Sequence, residues 1–231
     1  MNRTFVAALL ALAAPFAHAG SVQLTVTDKD GKPAPDVVVL VQAATKAPAT
    51  PAAKPLVITQ EGSRFVPFLT VVPLGSTLRF INKDGYDHHV RSGPSGPLGS
   101  IPAAKAFELR LDADPIAEAR SGTDPYPSGP QRKKSGTSTG DIKVDAAGPI
   151  GLSCHLHGSM RGQVYVVDTP WAGKTDGNGV VTIDGLPDGA AQVTLWHPDQ
   201  LQDQAAVPVQ VSATPVKTTS QLNFVPRRRR G

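Results

Sequence analysis

Residues 148–167, GPIGLSCHLHGSMRGQVYVV, hold the only cysteine of the chain, Cys154, and its only methionine besides the initiator, Met160. Two histidines, His155 and His157, stand between them. The spacing Cys154-x2-His157-x2-Met160 brings a thiolate, an imidazole and a thioether onto one short loop. Donors of that graded softness select copper over hard cations. A lone cysteine cannot form an internal disulfide, and an unpaired thiol in an oxidising compartment is a liability unless something occupies it. A trigonal site of two histidines and one cysteine with a weak axial methionine is the blue-copper arrangement. One more histidine is then required, and Asp87-His88-His89-Val90 supplies it through His88 or His89. The plainer alternative makes Cys154 and Met160 core fillers and the histidines surface residues.

Around this loop, apolar alternation of period two dominates, without any long 3.6-residue periodicity. Val22–Val26, Val37–Val41, Thr77–Ile81, Gln163–Val167, Val180–Ile183, Gln192–Trp196 and Val207–Val211 read as strands. Asp30-Gly31, Asp84-Gly85, Asp176-Gly177 and Asp188-Gly189 punctuate them as turns. Glycine and proline number 22 each while aromatics make up only 5%, a turn-rich composition that suits many short strands. An all-β sandwich or barrel follows.

The N-terminus reads as an address. Arg3, the apolar run Phe5–Ala14 and Ala17-His18-Ala19 make a signal peptide over residues 1–19, cleaved after Ala19, which predicts a periplasmic protein. The apolar run is too short to span a bilayer and Pro15 interrupts it, so no stable membrane insertion is expected. The formal net charge of +4 is matched by Arg227–Arg230 alone. The remainder is near neutral, which argues against nucleic acid. The basic tail, residues 226–231, suits an acidic partner or a membrane surface, or is simply solvated. Residues 43–55, rich in Ala, Pro and Lys, read as a linker, and residues 112–140 as a long polar insertion.

Several stretches resemble known families. VQLTVTDKDGKPAPDVVVLV (22–41) and KTDGNGVVTIDGLPDGAAQVTLWHP (174–198) resemble the two halves of a carboxypeptidase regulatory-like domain, a small transthyretin-like β-sandwich. GPIGLSCHLHGSMRGQVYVV resembles the ligand loop of amicyanin and plastocyanin, the cupredoxins, and its Cys-x2-His-x2-Met count is the amicyanin form. GSTLRFINKDGYDHHV (75–90) is similar to the cupredoxin stretch G-x-x-[VL]-x-[FW]-x-N-x-[DE]-x3-H-x-V. Counting from Asn82 and back from Val90 puts the ligand at His88. The run from 22 to 198 as a whole resembles the secreted cupredoxin-like family labelled methylamine utilization protein.

The resemblance implies a Greek-key cupredoxin β-sandwich over residues 56–168, inserted in a regulatory-like β-sandwich built from 20–42 and 170–225. It implies one type 1 copper held by His88, Cys154 and His157, with Met160 axial. His89 stands where amicyanin-like sequences carry Asn; with His155 and Asn82 it is expected beside the site, or as an alternative ligand. Leu156 is expected to mark a docking patch for a redox partner protein.

The implied function is periplasmic electron transfer. Alternatives are a copper carrier or storage protein without redox cycling, or a partner- or glycan-binding β-sandwich with structural copper. Zinc accepts the same cysteine and histidines, but an axial thioether argues against it. An oxidase with a trinuclear copper cluster needs more than the six histidines present. No Ser/His/Asp set, carboxylate pair or phosphate loop stands out, so no enzyme is expected.

Overall fold

A computed structural model describes residues 19–96, 99–114, 116–117 and 137–227. The expected signal peptide except Ala19, most of the expected insertion and Arg228–Arg230 of the tail lie outside the described residues. Those described form sixteen strands and are all-β, as the alternation predicts. No helix among them is long and apolar enough to cross a membrane.

The strands group into two pairs of sheets. One pair comes from the two ends of the described chain: β1 (Ala19–Thr27) and β2 (Val38–Ala43), then β12 (Ala172–Lys174), β13 (Val180–Pro187), β14 (Gly189–Trp196), β15 (Val207–Val211) and β16 (Val216–Gln221). They order as β13-β1-β16 and β12-β2-β14-β15. Their apolar faces meet in a core that includes Val22, Leu24, Val39, Val41, Trp171 and Leu195.

The other pair is built from the continuous middle segment. It comprises β3 (Leu56–Gln60), β4 (Phe65–Val66), β5 (Leu69–Pro73), β6 (Thr77–Asn82), β7 (His88–Gly93), β8 (Glu108–Leu111), β9 (Thr139–Lys143), β10 (Gly148–Cys154) and β11 (Arg161–Val167). These order as β5-β11-β10-β7-β8 and β4-β3-β6-β9. Phe80, Leu78, Ile58, Ile150, Leu152, Met160 and Cys154 share the core between them.

One turn device serves both halves of the outer pair. In Asp28-Lys29-Asp30-Gly31 the Asp28 carboxylate accepts the N–H groups of Asp30 and Lys32, each at 2.9 Å. In Asp176-Gly177-Asn178-Gly179 the Asp176 carboxylate accepts those of Asn178 (2.9 Å) and Val180 (2.8 Å). The fourth residue of each turn is a glycine with φ of +79° or +74°, a conformation open to Gly at no steric cost. The shared D-x-x-G spacing is therefore mechanical: an Asx side chain closes the turn and the glycine reverses the chain.

Val37–Val41 lacks clean alternation because β2 is covered on both sides, as unbroken apolar runs usually are. Val39 and Val41 face the outer core. Val38 packs with Leu69 and Trp196 in a smaller cluster between the two sheet pairs, with Leu40, Phe68, Val71 and Tyr165 around it. The Tyr165 and Trp196 rings meet there at 4.9 Å between centroids. Lys174 adds a polar clasp, donating from Nζ to the Leu69 carbonyl at 3.1 Å while paired with Asp36 at 2.7 Å.

The expected linker, residues 43–55, begins at the last residue of β2, carries no further strand, and is fastened. Ala49 N–H donates to the Asp168 carbonyl and Ala52 N–H to Ser76 Oγ, both at 2.8 Å. Its small, proline-rich composition predicts freedom; the hydrogen bonds along its route remove it.

Candidate metal centre

Along β6 the inward positions are Leu78, Phe80 and Asn82, while Thr77, Arg79 and Ile81 face outward. Asn82 thus brings an amide to the end of the inner core, where the chain leaves the sheet. There the amide organises the turn leading to β7. Asn82 Nδ2 donates to the carbonyls of Tyr86 and Asp112, both at 2.8 Å, and Oδ1 accepts the Asp84 N–H at 2.9 Å. Asp84, fixed in this way, accepts the N–H groups of Gly62 (2.7 Å) and Ser63 (3.0 Å). One of its oxygens also lies 2.9 Å from His88 Nε2.

That contact sets the histidine. With Nε2–H donating to the carboxylate, Nδ1 is left as the lone-pair nitrogen, and it faces Cys154 Sγ at 3.4 Å. His157 Nδ1 faces the same sulfur, also at 3.4 Å. The His89 backbone N–H donates to the sulfur at 3.4 Å. The donor atoms of His88, Cys154 and His157 all lie within 4.8 Å of one another, the one such group of three among the described residues.

The loop from β10 closes on itself. Met160 N–H donates to the His157 carbonyl at 3.0 Å, and Cys154 N–H to the Met160 carbonyl at 3.4 Å. This curls Cys154, His157 and Met160 round one turn and drives Met160, 1% exposed, into the core that holds Cys154. Leu156 is half-buried against that core, His157 is half-buried, and His155 is exposed. Tyr86 lies against both imidazoles, its ring 5.3 Å from His88 and 5.0 Å from His157. Its hydroxyl is 2.7 Å from Ser63 Oγ.

Burial pushes His88 and His157 below the ordinary imidazole range, opposed in both cases by the Asp84 carboxylate. Both rings are thereby kept neutral, the form that binds a metal. Burial alone raises Asp84, but the Ser63 N–H, the His88 ring and the Gly62 N–H outweigh it and leave the carboxyl below its usual range.

A metal ion sits about 2.0 Å from imidazole nitrogen and about 2.3 Å from thiolate sulfur. Donors sharing one ion at near-tetrahedral angles are therefore about 3.5 Å apart, and both N···S separations are 3.4 Å. Two imidazole nitrogens and a thiolate at that spacing form a candidate copper site.

His89 and His155, the other histidines expected at the site, lie beside this cluster but outside it. His89 turns its ring towards Glu108 and against His155. His197 is buried in the outer pair of sheets, where Nδ1 accepts the Asp199 N–H at 3.1 Å. Asp84 and Tyr86 were not among the candidates read from sequence. The signal for Asp84 was an acid four residues before a ligand-type histidine; for Tyr86 there was none.

No family model and no curated protein matches the chain. Among solved structures it is similar to a purple cupredoxin from Nitrosopumilus maritimus, with 15% identity and a TM-score of 0.33, covering 48% of this chain and 99% of that one. It is similar also to amicyanin from Paracoccus versutus, with 16% identity and a TM-score of 0.31, covering 55% and 97%. A third is a copper-containing nitrite reductase from Thermus scotoductus, with 17% identity and a TM-score of 0.35, covering 53% of this chain. The match spans only 25% of that reductase.

Proposed function

We propose that the chain is an exported, periplasmic electron-transfer protein holding one type 1 copper, and not an enzyme. The supporting observation is the convergence of His88 Nδ1 and His157 Nδ1 on Cys154 Sγ at equal distance. When bound, copper supplies a single-electron couple between Cu(I) and Cu(II). His88, Cys154 and His157 would hold the ion, with Met160, buried beside them, as the axial donor.

The polypeptide's part is to keep these donors still. Asp84 fixes the His88 ring through Nε2, and Asn82 fixes Asp84. The His89 N–H meets the sulfur and disperses its charge, and Tyr86 covers both rings against water. A cradle fixed on three sides needs little rearrangement between oxidation states. His88 is sealed at 1% exposure whereas His157 is half-buried, so His157, with Leu156 beside it, is the edge through which a redox partner protein would exchange electrons. Such transient contacts are small. The basic tail would steer an acidic partner at low salt.

The cupredoxin reading rests on the ligand-loop and N-x-D-x3-H patterns together with this geometry. The middle segment would be the cupredoxin domain and the outer pair of sheets a regulatory-like domain into which it is inserted. Visible absorption of the mature chain after addition of Cu(II) tests the proposal. An intense charge-transfer band that disappears in Cys154→Ser is expected. A weak spectrum unchanged by that substitution would remove the type 1 assignment.

A further inference from the structure

Outside the first cluster, a second set of donors directly follows its ligands in sequence. His89 and His155 each stand one position beyond a donor of that cluster, and strand alternation turns the His89 side chain to the opposite face of its sheet. In the β7–β8 pairing His89 lies opposite Arg110 and Arg91 opposite Glu108, so all four share that face. The His89 side chain is 4% exposed, and Nε2 faces a carboxylate oxygen of Glu108. Nδ1 of His89 is buried with no hydrogen-bond partner, and Nε2 meets only that carboxylate. The other Glu108 oxygen lies 3.6 Å from Arg91 Nε, which leaves the oxygen at His89 available.

Above them sits His155. Its ring meets His89 edge-on, 5.6 Å between centroids, and its backbone N–H donates to the His89 carbonyl at 2.9 Å. The backbone is pinned, while the exposed side chain can change rotamer without displacing packed atoms.

A buried ring nitrogen left without a hydrogen-bond partner, as His89 Nδ1 is, is costly, and buried polar groups are normally satisfied. Imidazole and carboxylate are both ligands of borderline divalent cations. We propose that His89, His155 and Glu108 form a second metal site, separate from the Cys154 cluster, that takes Zn(II) or Cu(II) through two imidazole nitrogens and one carboxylate oxygen. Three protein donors leave the remaining coordination position to solvent. Arg91 and Arg110 oppose the ion's charge and the Glu108 carboxylate offsets it, so binding is reversible rather than structural. The site stands on its own residues and does not depend on what Cys154 binds.

The test is Zn(II) bound per chain at equilibrium dialysis for the full mature protein, compared with His155→Ala. Because His155 is exposed, this variant leaves the core intact. Loss of one equivalent in His155→Ala is expected, whatever the wild-type total, with at least tenfold weaker binding of that equivalent in Glu108→Gln. The same loss is expected when both are measured in a Cys154→Ser background. Equal stoichiometry in wild type and His155→Ala would overturn the second site. The Cys154-dependent absorption band reports the first site separately, so either assignment fails without the other.

Discussion

Asp84 and His88 are joined side chain to side chain, with a carboxylate oxygen 2.9 Å from Nε2, while the opposite ring nitrogen faces Cys154. The carboxylate therefore chooses which imidazole nitrogen is offered to a metal. Removing such a carboxylate partner typically costs about 10–100-fold in metal affinity. Asp84→Ala is expected to weaken copper binding within that range, and Asp84→Asn, which keeps an acceptor oxygen, less so. Competition against a chelator of known Kd measures it; equal affinity in Asp84→Ala would remove the orienting role.

Asn82 satisfies three backbone groups with one amide. In Asn82→Ala the Tyr86 and Asp112 carbonyls and the Asp84 N–H lose their partner together. Each buried group left unsatisfied costs about 1–3 kcal/mol. A loss of about 2–4 kcal/mol is expected, since water reaches some of them. Urea unfolding of the metal-free protein reads it, and a change within error of zero would show that the turn holds without the amide.

The metal-free protein should weaken on mild acidification. Burial lowers His88, His89 and His157 from the ordinary 6.5. Between that value and their folded values the unfolded chain binds more protons, so stability rises with pH there. It is complete above about pH 6.5 and falls as pH drops through the folded values. Asp84, also lowered, adds a loss of the same sign at more acid pH. The urea midpoint of apo-protein is expected to be lower at pH 5.5 than at pH 7.5, and an equal or higher midpoint would contradict neutral burial of these rings.

Trp196 packs against Tyr165 and the Val38–Leu69 contact between the two pairs of sheets. Truncating a buried tryptophan typically costs about 3–5 kcal/mol. Because the loss falls at the junction, Trp196→Ala is expected to split thermal unfolding into two calorimetric transitions while the Cys154-dependent absorption band persists. A single transition together with loss of the band would show that the junction supports the metal site.

Legibility in the sequence followed how local the constraint was. The Cys154–Met160 spacing and the Asn82-to-His88 count are short, and both were readable because donor type and turn length are fixed along the chain. The orienting acid, four residues from His88, was within the same pattern, but acids are too common for one to stand out. Glu108 reaches His89 only through the β7–β8 register, which no spacing reveals. Strands read from alternation, such as Val207–Val211, emerged where one face is wet. Others escaped for physical reasons: β5 is nearly all apolar and ends on Pro73, and β16 is polar on both faces, with Thr218 and Ser220 beside Val216 on the inner one.

The order of strands also governs how the chain assembles. In the outer pair Val22 pairs with Val216 and Leu40 with Ala172, so its sheets cannot close until nearly all of the described chain is present. The middle segment needs only itself. Long-range closure is slow when the intervening chain is loose, and cheaper once that chain has already collapsed. The central sandwich can therefore fold first and act as a short, stiff tether. It draws β2 and β12 together, leaving β16 to dock last against β1.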